Sequence, residues 1–399
     1  MEKKLELELA VALMGGSVTA LSPRTAGLQE CLGCILDESV VAPMDQPPFP
    51  RSPLDGYAFT AADSAGAGRQ TPVTLRVVDK VFAGEVCTAE VKRGQAVRIM
   101  TGAMIPPGAD CVLRQEDSDQ GEAEVKIYAR LRPFQNYCRQ GEDFRRGSVL
   151  LQAGTRLDSA AVGLLAAAGI PAVNIRARPR AGLLTTGDEL VAPGAPLGPG
   201  KIYDCNQTAL SARLRELGIP AVCDRGKDDA RAAAEQMKAL LAETDLLITT
   251  GGVSVGQRDM VNEALSLMGA ETVFHGVRLK PGSPARFSVY GGKPILSLSG
   301  NPFAALATLE LLGRPLLAAL AGDRGLLPAR REGTLASHFP KASPGRRFVR
   351  GSYEDGQVVL PQEHSSGQMA SLPGCNCLAD IPAGSGPLTP GMTVAVILY

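Results

Sequence analysis

The sequence predicts a multidomain α/β protein built around a doubly wound, mostly parallel sheet. At 399 residues the chain is too long for one compact core. Strand and helix signals alternate with short connections over residues 178–326. By contrast, residues 47–149 and 327–399 show the period-two alternation of strands and little helical pattern. The sequence therefore predicts one central α/β domain accompanied by β domains.

Composition narrows the functional classes. The formal net charge is +0, and no run of Lys and Arg exceeds two residues, so neither nucleic acid nor a membrane is expected as a partner. The nine cysteines are scattered, which is typical of reduced thiols. The most apolar stretch, residues 303–322, contains Glu310, Arg314 and Pro315, which favours a buried helix over a membrane span. We expect a cytoplasmic protein.

The flanking segments are assigned in chain order. The segment 47–149, with "VTLRVVDKVFAG" and "AEVKIYARL", predicts a small β domain. Residues 151–176 predict a helix that returns from it, with the first 46 residues packed beside that helix. The last segment, with "RRFVRGSY" and "MTVAVILY", predicts a terminal β-barrel or sandwich.

The central region is predicted to alternate strands with helices and to end in a hairpin and a final helix. The first helix is expected to be capped by Asn206 and ended by Gly218. The glycine pair at 291–292 predicts the hairpin turn. The strands are "RAGLLTT", "PAVCD", "TDLLITT", "ETVFHGV", "PARFSVY" and "KPILSLS", and the helices are "NQTALSARLRELG", "KDDARAAAEQMKALLAE", "RDMVNEALSLMG" and "NPFAALATLELLGRPLLAALAG".

Hydroxyl and glycine residues follow three of these strands. The three loops are "TTGDE" at 185–189, "TTGG" at 249–252 and "SGNP" at 299–302. Ligands of parallel sheets lie beyond the carboxyl ends of the strands. Glycine lets the backbone approach a ligand, and hydroxyls and helix N-termini donate to phosphate oxygens. The sequence therefore predicts an anion-binding rim.

Five carboxylates are predicted near the same rim. They are Asp188, Glu189, Asp204, Asp228 and Asp259. Carboxylates repel phosphates unless a divalent cation lies between them, so the set predicts Mg²⁺. The alternative for Asp259 is a helix cap.

Other polar residues have equally ordinary explanations. Asp55 in "SPLDGYAF" fits a tight turn, Thr101 fits a polar loop, and Glu142 and Asp143 in "RQGEDFRRG" fit a solvated loop. Lys280 in "LKPGSP" suits an oxyanion on a stiff turn, or is a surface lysine. No Ser/His/Asp pattern supports hydrolytic nucleophilic catalysis.

In this order, the motifs "SPLDGYAF", "VRIMTGAMIPPGAD", "GEDF", "LLTTGDEL", "IYDCNQ", "TTGGVSVGQRD", "LKPGSP" and "SGNP" resemble the molybdopterin molybdenumtransferase family, which includes MoeA and the gephyrin E domain. The resemblance runs from about residue 20 to the C-terminus. It implies a split helical linker domain (1–46 and 150–177), an inserted β domain (47–149), a molybdopterin-binding domain (178–326) and a C-terminal β-barrel (327–399).

The resemblance also implies a homodimer whose site combines the doubly wound domain of one subunit with the β domain of the other. The implied reaction inserts molybdate into adenylylated molybdopterin with Mg²⁺ and releases AMP. Transient contacts with other cofactor-biosynthesis or acceptor proteins are expected.

The family's functional positions carry over by motif. The resemblance implies catalytic roles for Asp55, Glu142, Asp143, Glu189, Asp259 and Lys280, and metal binding by Asp188, Glu189 and Asp259. Substrate binding is implied for Thr101, Thr186, Gly187, Asp228, Gly251, Gly252, Ser254, Ser299, Gly300, Asn301, Pro302 and Arg350.

Some positions depart from the family pattern. Gly276 and Ser283 stand where the family usually has lysine, and Leu54 stands where methionine is usual. "LSGNP" replaces the commoner L-P-G-N-P. The lost cations should weaken oxyanion binding unless Arg278 or Arg286 substitutes. Two alternatives therefore stay open: a relative that inserts tungstate, and a non-catalytic pterin carrier or scaffold.

Overall fold

A computed structural model describes residues 4–252 and 260–399. The chain divides into two compact units: Thr25–Ile175, and the residues up to Arg24 together with Arg176–Tyr399. The predicted four-domain boundaries stay a prediction. One difference is that the N-terminal segment groups with the α/β sheet, whereas the sequence placed it in a linker domain.

The unit Thr25–Ile175 contains a five-stranded β sheet. The chain begins with α1 (Leu7–Gly16), β1 (Arg24–Gly27) and β2 (Val40–Val41). The sheet strands are β3 (Gly56–Phe59), β4 (Val73–Val81), β5 (Gln95–Ile99), β6 (Cys111–Arg114) and β7 (Glu124–Ile127), in the order β6-β3-β5-β4-β7. The predicted alternation holds in β7, where Val125 and Ile127 are buried between exposed Glu124 and Lys126.

The segments before and after this sheet pack together in the same unit. They comprise β8 (Val149–Leu151), α2 (Ser159–Ala167) and β9 (Ala172–Ile175). Strand β8 pairs with β2, and β9 pairs with β1. Helix α2 begins at the N-cap Asp158, whose side chain accepts from the Ala161 amide at 2.8 Å.

The second unit is built on a six-stranded sheet. Its elements are β10 (Ala181–Thr186), β11 (Leu190–Val191), β12 (Ile202–Tyr203), α3 (Cys205–Glu216), β13 (Ala221–Gly226), α4 (Ala230–Glu243), β14 (Leu246–Thr250), α5 (Met260–Met268), β15 (Glu271–His275), β16 (Arg286–Tyr290), β17 (Lys293–Leu298), α6 (Pro302–Thr308) and α7 (Arg314–Ala321). The order is β13-β10-β14-β17-β16-β15. The first four strands are parallel, and β16 runs against both neighbours.

Both faces of this sheet are buried, because successive side chains of a strand point to opposite faces. Leu183, Ile248 and Leu296 belong to a core shared with α1, α3, α6 and α7. Their neighbours Leu184, Leu247 and Ile295 belong to a second core shared with α4 and α5. The predicted doubly wound sheet is therefore confirmed.

The apolar segment Pro302–Ala321 is a core helix, as expected. By length and composition it could cross a membrane, yet 83% of its apolar window is buried within the fold. A π-helical turn at Leu309–Gly313 joins α6 to α7. Its buried Glu310 is bonded by Arg213 at 2.6 Å and Arg314 at 3.1 Å, which neutralises the carboxylate inside the core.

The C-terminal residues form a closed five-stranded barrel. Its strands are β18 (Ala329–Leu335), β19 (Arg347–Glu354), β20 (Gln357–Val359), β21 (Cys377–Ile381) and β22 (Thr393–Leu398), in the order β18-β20-β19-β21-β22. Because this sheet closes on itself, the terminal domain is a barrel, which was one of the two predicted alternatives, and not a sandwich. Phe339, Val349, Val358, Ile381 and Val396 lie in the barrel core.

Candidate functional site

Three glycine-bearing loops lie side by side at one edge of the six-stranded sheet. They follow the adjacent parallel strands β10, β14 and β17. Asn206, in the first turn of α3, ties two of them together, because its Nδ2 donates to Thr250 Oγ1 at 2.9 Å and to the Gly300 carbonyl at 2.8 Å. Thr250 Oγ1 in turn donates to the Ser299 carbonyl at 3.0 Å. The rim is thus held rigid by side chains that link neighbouring loops.

One of these loops also requires glycine for close backbone approach. Gly251 has a φ of 95°, and a Cβ atom there would overlap the carbonyl oxygen of Thr186. The loop after β14 can therefore lie against the loop after β10 only with glycine at this position.

A cleft of about 1510 Å³ opens above the rim, within the unit that contains the sheet and the barrel. Its walls are the three loops, the segment between β15 and β16, and residues of the barrel. The predicted site residues that line it are Thr186, Gly187, Glu189, Asp228, Gly251, Gly252, Lys280, Ser299, Gly300, Asn301 and Pro302.

Charge is distributed unevenly around this cleft. Glu189 and Asp228 follow β10 and β13, at one end of the strand order. Lys280 lies between β15 and β16 at the other end, and the barrel contributes Lys341 and Arg347. In this strand order the glycine loops after β14 and β17 lie between the acidic and the basic residues. Such a surface suits an elongated anionic ligand accompanied by a cation at its acidic end.

The acids near β10 and β13 are held by backbone amides. The Asp188 amide donates to Asp228 Oδ2 at 3.4 Å, and the Asp228 amide donates to Asp188 Oδ1 at 3.3 Å. Asp188 itself is not part of the cleft lining. Within residues 4–252 and 260–399, no three His, Cys, Asp or Glu side chains converge as a metal site. Ser254 and Asp259 lie outside the described residues.

Asp204, another predicted rim acid, also belongs to the cleft lining, but its carboxylate is bonded within the fold. It is 1% exposed and accepts from Thr185 Oγ1 at 2.6 Å and from Arg225 Nε at 3.0 Å. It also accepts from the Gln207 amide at 3.0 Å, so Asp204 is the N-cap of α3. The prediction of Asn206 as the cap was wrong by two residues, because the extended backbone lies at Asp204 and Asn206 is already helical.

Arg350 lies away from the cleft lining. Its side chain is fully buried, and it donates to Ser371 Oγ at 2.9 Å and to the carbonyls of Ser365 and Glu363 at 3.2 Å. Its guanidinium also lies over the Phe303 ring, 4.5 Å from the centroid. Since Ser365 lines the cleft, Arg350 supports the barrel loop that forms this wall.

The cleft includes barrel residues that the sequence reasoning missed, namely Lys341, Arg347, His364, Ser365, Ser366 and Gly367. Alternation of side chains along a strand was a sequence signal that could have pointed to Arg347. Residues 347 and 350 of β19 are separated by an odd number, so their side chains leave opposite faces of the strand. Burial, with Lys341 nearby, lowers the pKa of His364 below its usual value.

The two arginines considered as substitutes for the missing lysines are engaged elsewhere. Arg278 Nη1 pairs with Glu6 Oε1 at 2.9 Å, and Arg286 Nη2 lies 2.8 Å from His275 Nδ1. Neither belongs to the cleft lining.

The remaining predicted residues belong to the unit Thr25–Ile175. Thr101 donates twice to Asp55 Oδ1, from its amide and its hydroxyl, each at 2.7 Å. Glu142 and Asp143 lie exposed in a turn, where Glu142 accepts from the Arg139 amide at 2.8 Å. Asp55 and Thr101 are therefore brought together within this unit.

Comparison with known proteins covers almost the whole chain. Residues 5–169 match the family described as "MoeA N-terminal region (domain I and II)", residues 182–319 match "Probable molybdopterin binding domain", and residues 332–399 match "MoeA C-terminal region (domain IV)".

Curated relatives and solved structures agree with these matches. The chain is 34% identical to a molybdopterin molybdenumtransferase of Staphylococcus epidermidis over 376 residues, covering 93% of this chain and 90% of that protein. A Staphylococcus aureus enzyme of the same name is also 34% identical, covering 94% and 90% of the two chains. The crystal structure of a Pyrococcus horikosii molybdopterin biosynthesis MoeA protein has a TM-score of 0.86 at 30% identity and covers 99% of both chains. On this evidence the chain belongs to the molybdopterin molybdenumtransferase (MoeA) family of molybdenum cofactor biosynthesis.

Proposed function

We propose that this protein inserts molybdate into adenylylated molybdopterin in an Mg²⁺-dependent reaction that releases AMP. The observation that carries the proposal is the cleft above the sheet rim, with glycine loops at its centre, acids at one end and cations at the other. This arrangement suits a substrate with several phosphate groups and an incoming oxyanion. Family membership supports the choice of pterin and metal.

The residues have complementary roles in this proposal. The loops at Gly251 and Gly300 approach the phosphates with their backbone, and Thr186 and Ser299 add hydroxyl groups to the same wall. Lys280 faces the cleft without a carboxylate partner among the described residues, so its ammonium is available to the molybdate or phosphate oxygens. A positioned oxyanion gains reactivity from orientation and charge neutralisation rather than from a protein nucleophile.

The acidic end fits Mg²⁺. This ion prefers oxygen ligands and is usually bound through one or two carboxylates together with substrate phosphates. Glu189 and Asp228 line the cleft, and Asp188 is hydrogen-bonded to the loop of Asp228. Asp259 joins this set by resemblance. When bound, Mg²⁺ would neutralise the phosphate charge, so that the carboxylates would no longer repel the phosphates.

We further propose a cytoplasmic homodimer. By resemblance, Asp55, Thr101, Glu142 and Asp143 of one subunit complete the site of the other, and Arg350 supports it from the barrel. Transient contacts with acceptor enzymes would follow product formation.

The direct test supplies purified protein with adenylylated molybdopterin, MgCl₂ and molybdate, and measures AMP by chromatography. We expect AMP release that stops with excess EDTA and returns with Mg²⁺. Parallel reactions with tungstate in place of molybdate identify the preferred oxyanion. If the protein binds the pterin nucleotide tightly but releases no AMP with either oxyanion, the transferase proposal is wrong and the carrier alternative stands.

A matched pair of variants tests the role of the lysine in the cleft. We expect Lys280→Met to lower kcat/KM for AMP release by about 100-fold or more, because it removes a cation from a partly desolvated anion site. Lys238→Met is the control, since Lys238 pairs with Glu235 on the exposed side of α4. Equal rates for both variants would remove Lys280 from the mechanism.

A further inference from the structure

Lys4 lies beside the cleft although it is 276 positions before Lys280 in the sequence. Its Nζ donates to Ser283 Oγ at 2.7 Å, and Ser283 belongs to the cleft lining. The Ser283 hydroxyl donates its own proton to the Val277 carbonyl at 3.0 Å, which leaves an oxygen lone pair for the ammonium. The N-terminal segment thus brings a positive charge to the segment 280–284.

The backbone around Lys4 keeps this charge in place. The Leu5 amide donates to the Gly276 carbonyl at 3.1 Å, and the Arg278 amide donates to the Leu5 carbonyl at 2.7 Å. Leu5 therefore pairs with Val277 as a parallel bridge. The next residues enter α1, whose Leu7, Ala10 and Met14 are buried in the core of the α/β sheet. The backbone directly after Lys4 is consequently anchored by the bridge at Leu5 and by helix α1.

The stem of Lys4 occupies space that a side chain at position 276 would need. Gly276 has a φ of 92°, and a Cβ atom there would lie 3.0 Å from Lys4 Cγ and 3.6 Å from Lys4 Cδ. Glycine at 276 therefore leaves room for the Lys4 side chain to pass towards Ser283. Because the Ser283 side chain is short, its hydroxyl accepts a hydrogen bond from the Lys4 ammonium and does not compete with it for space.

The Lys4 ammonium has no carboxylate partner in the described part of the chain. Arg278 differs from Lys4, because its Nη1 forms an ion pair with Glu6 Oε1 at 2.9 Å. A hydrogen bond to a hydroxyl leaves the full positive charge, so Lys4 places a cation next to Ser283, which lines the cleft together with Lys280, Lys341 and Arg347.

We propose that Lys4 is an anion-binding residue of this cleft: its ammonium, held on Ser283, supplies a positive charge for a tetrahedral oxyanion at the segment 280–284. The proposal rests on the proposed function of the same cleft. The oxyanion is either free molybdate or a phosphate group of the pterin nucleotide, which share shape and negative charge.

The test measures binding and turnover in tag-free full-length protein. Sodium molybdate and AMP are titrated separately by calorimetry into the wild type, Lys4→Met, Lys4→Arg and the control Lys238→Met. We expect Lys4→Met to weaken binding of at least one of the two anions by about tenfold, with a reduced dependence on NaCl. Lys4→Arg should keep most of the affinity. The anion that is affected identifies the source of the oxyanion.

Two further variants separate charge from loop support. Ser283→Ala removes the acceptor but keeps the Lys4 charge, so its binding should stay within about threefold of wild type. Ser283→Lys in the Lys4→Met background returns a cation to the segment and should restore binding. Unchanged affinity of Lys4→Met for both anions would overturn the proposal. The proposal would also be overturned if Ser283→Ala lost as much anion affinity as Lys4→Met and the Lys4→Met/Ser283→Lys protein did not recover that affinity.

Turnover distinguishes this proposal from the proposed function. If the wild type binds the anions in a Lys4-dependent way but releases no AMP, the transferase proposal fails and Lys4 stands. If the wild type releases AMP and Lys4→Met has the same KM, kcat and anion affinities, Lys4 alone is removed.

Discussion

At the scale of single residues, hydrogen bonding prepares Asp55 to stay charged. The hydroxyl of Thr101 and then its amide, both donating to Oδ1, hold the pKa of Asp55 below its usual value. A lowered pKa in the folded protein stabilises the fold above the ordinary pKa of an aspartate. That stabilisation is lost as the pH falls through the lowered value.

We expect Thr101→Val to raise the pKa of Asp55 towards its ordinary value, because the hydroxyl donor is lost while the amide donor remains. The measurement is a carboxyl ¹³C NMR titration between about pH 2 and 6. Thr101→Ser is the control, since it keeps the hydroxyl. An Asp55 titration midpoint that is the same in Thr101→Val and wild type would show that the hydroxyl does not stabilise the carboxylate.

At the scale of elements, two residues at the start of α3 have different roles. One joins the helix to the sheet, and the other holds the loops of the cleft. Asp204 joins the N-terminus of α3 to β10 through Thr185 and to β13 through Arg225. Asn206 instead ties the loops after β14 and β17. Both residue types favour helix N-termini, so composition alone did not separate their roles.

Asp204→Ala should destabilise the sheet-containing unit by about 3 kcal/mol, since it removes a helix cap and leaves the buried Thr185 hydroxyl without its acceptor. Asp229→Ala is the matched control. Asp229 caps α4 by accepting from the Ala232 amide at 2.7 Å, but it is exposed. Its loss should cost about 1 kcal/mol.

Thermal unfolding followed by circular dichroism compares the two cap variants. The melting temperature should fall clearly further for Asp204→Ala than for Asp229→Ala. Equal shifts would mean that Asp204 acts only as a cap and that its bonds to Thr185 and Arg225 add nothing.

Strand β19 shows what element-level periodicity can and cannot decide. The motif "RRFVRG" marked a basic strand, and alternation separates Arg347 from Arg350. Which face meets the cleft depends on how the barrel closes. In the fold, Arg347 lines the cleft, and buried Arg350 supports the loop that carries Ser365.

At the scale of the whole molecule, the two compact units allow the proposed dimeric site to be tested genetically. One protein carries Asp55→Ala in the unit Thr25–Ile175, and the other carries Lys280→Met in the sheet-containing unit. If each site combines units from two subunits, mixed dimers contain one intact site. The isolated mixed dimer should then show about half of the wild-type AMP release, whereas homodimers of either variant stay inactive.

The two variants are co-expressed with different tags, and the mixed dimer is isolated before its AMP release is measured. Activity no higher than that of the separate variants would mean that each site is formed within one chain. Absence of a mixed dimer on size-exclusion chromatography would contradict the proposed homodimer itself.

The sequence by itself determined the fold class and the order of the central elements, because strand and helix periodicities and glycine stops are local properties of the chain. It also determined that the loops at Thr186, Gly251 and Gly300 would meet, since the carboxyl ends of adjacent parallel strands share one edge. Only the tertiary structure decided which charges reach that edge. Lys4, Lys341 and Arg347 arrive from segments distant in sequence, and Asp204 and Arg350 are bonded within the fold. No local pattern encodes such contacts, because they depend on how separate elements pack.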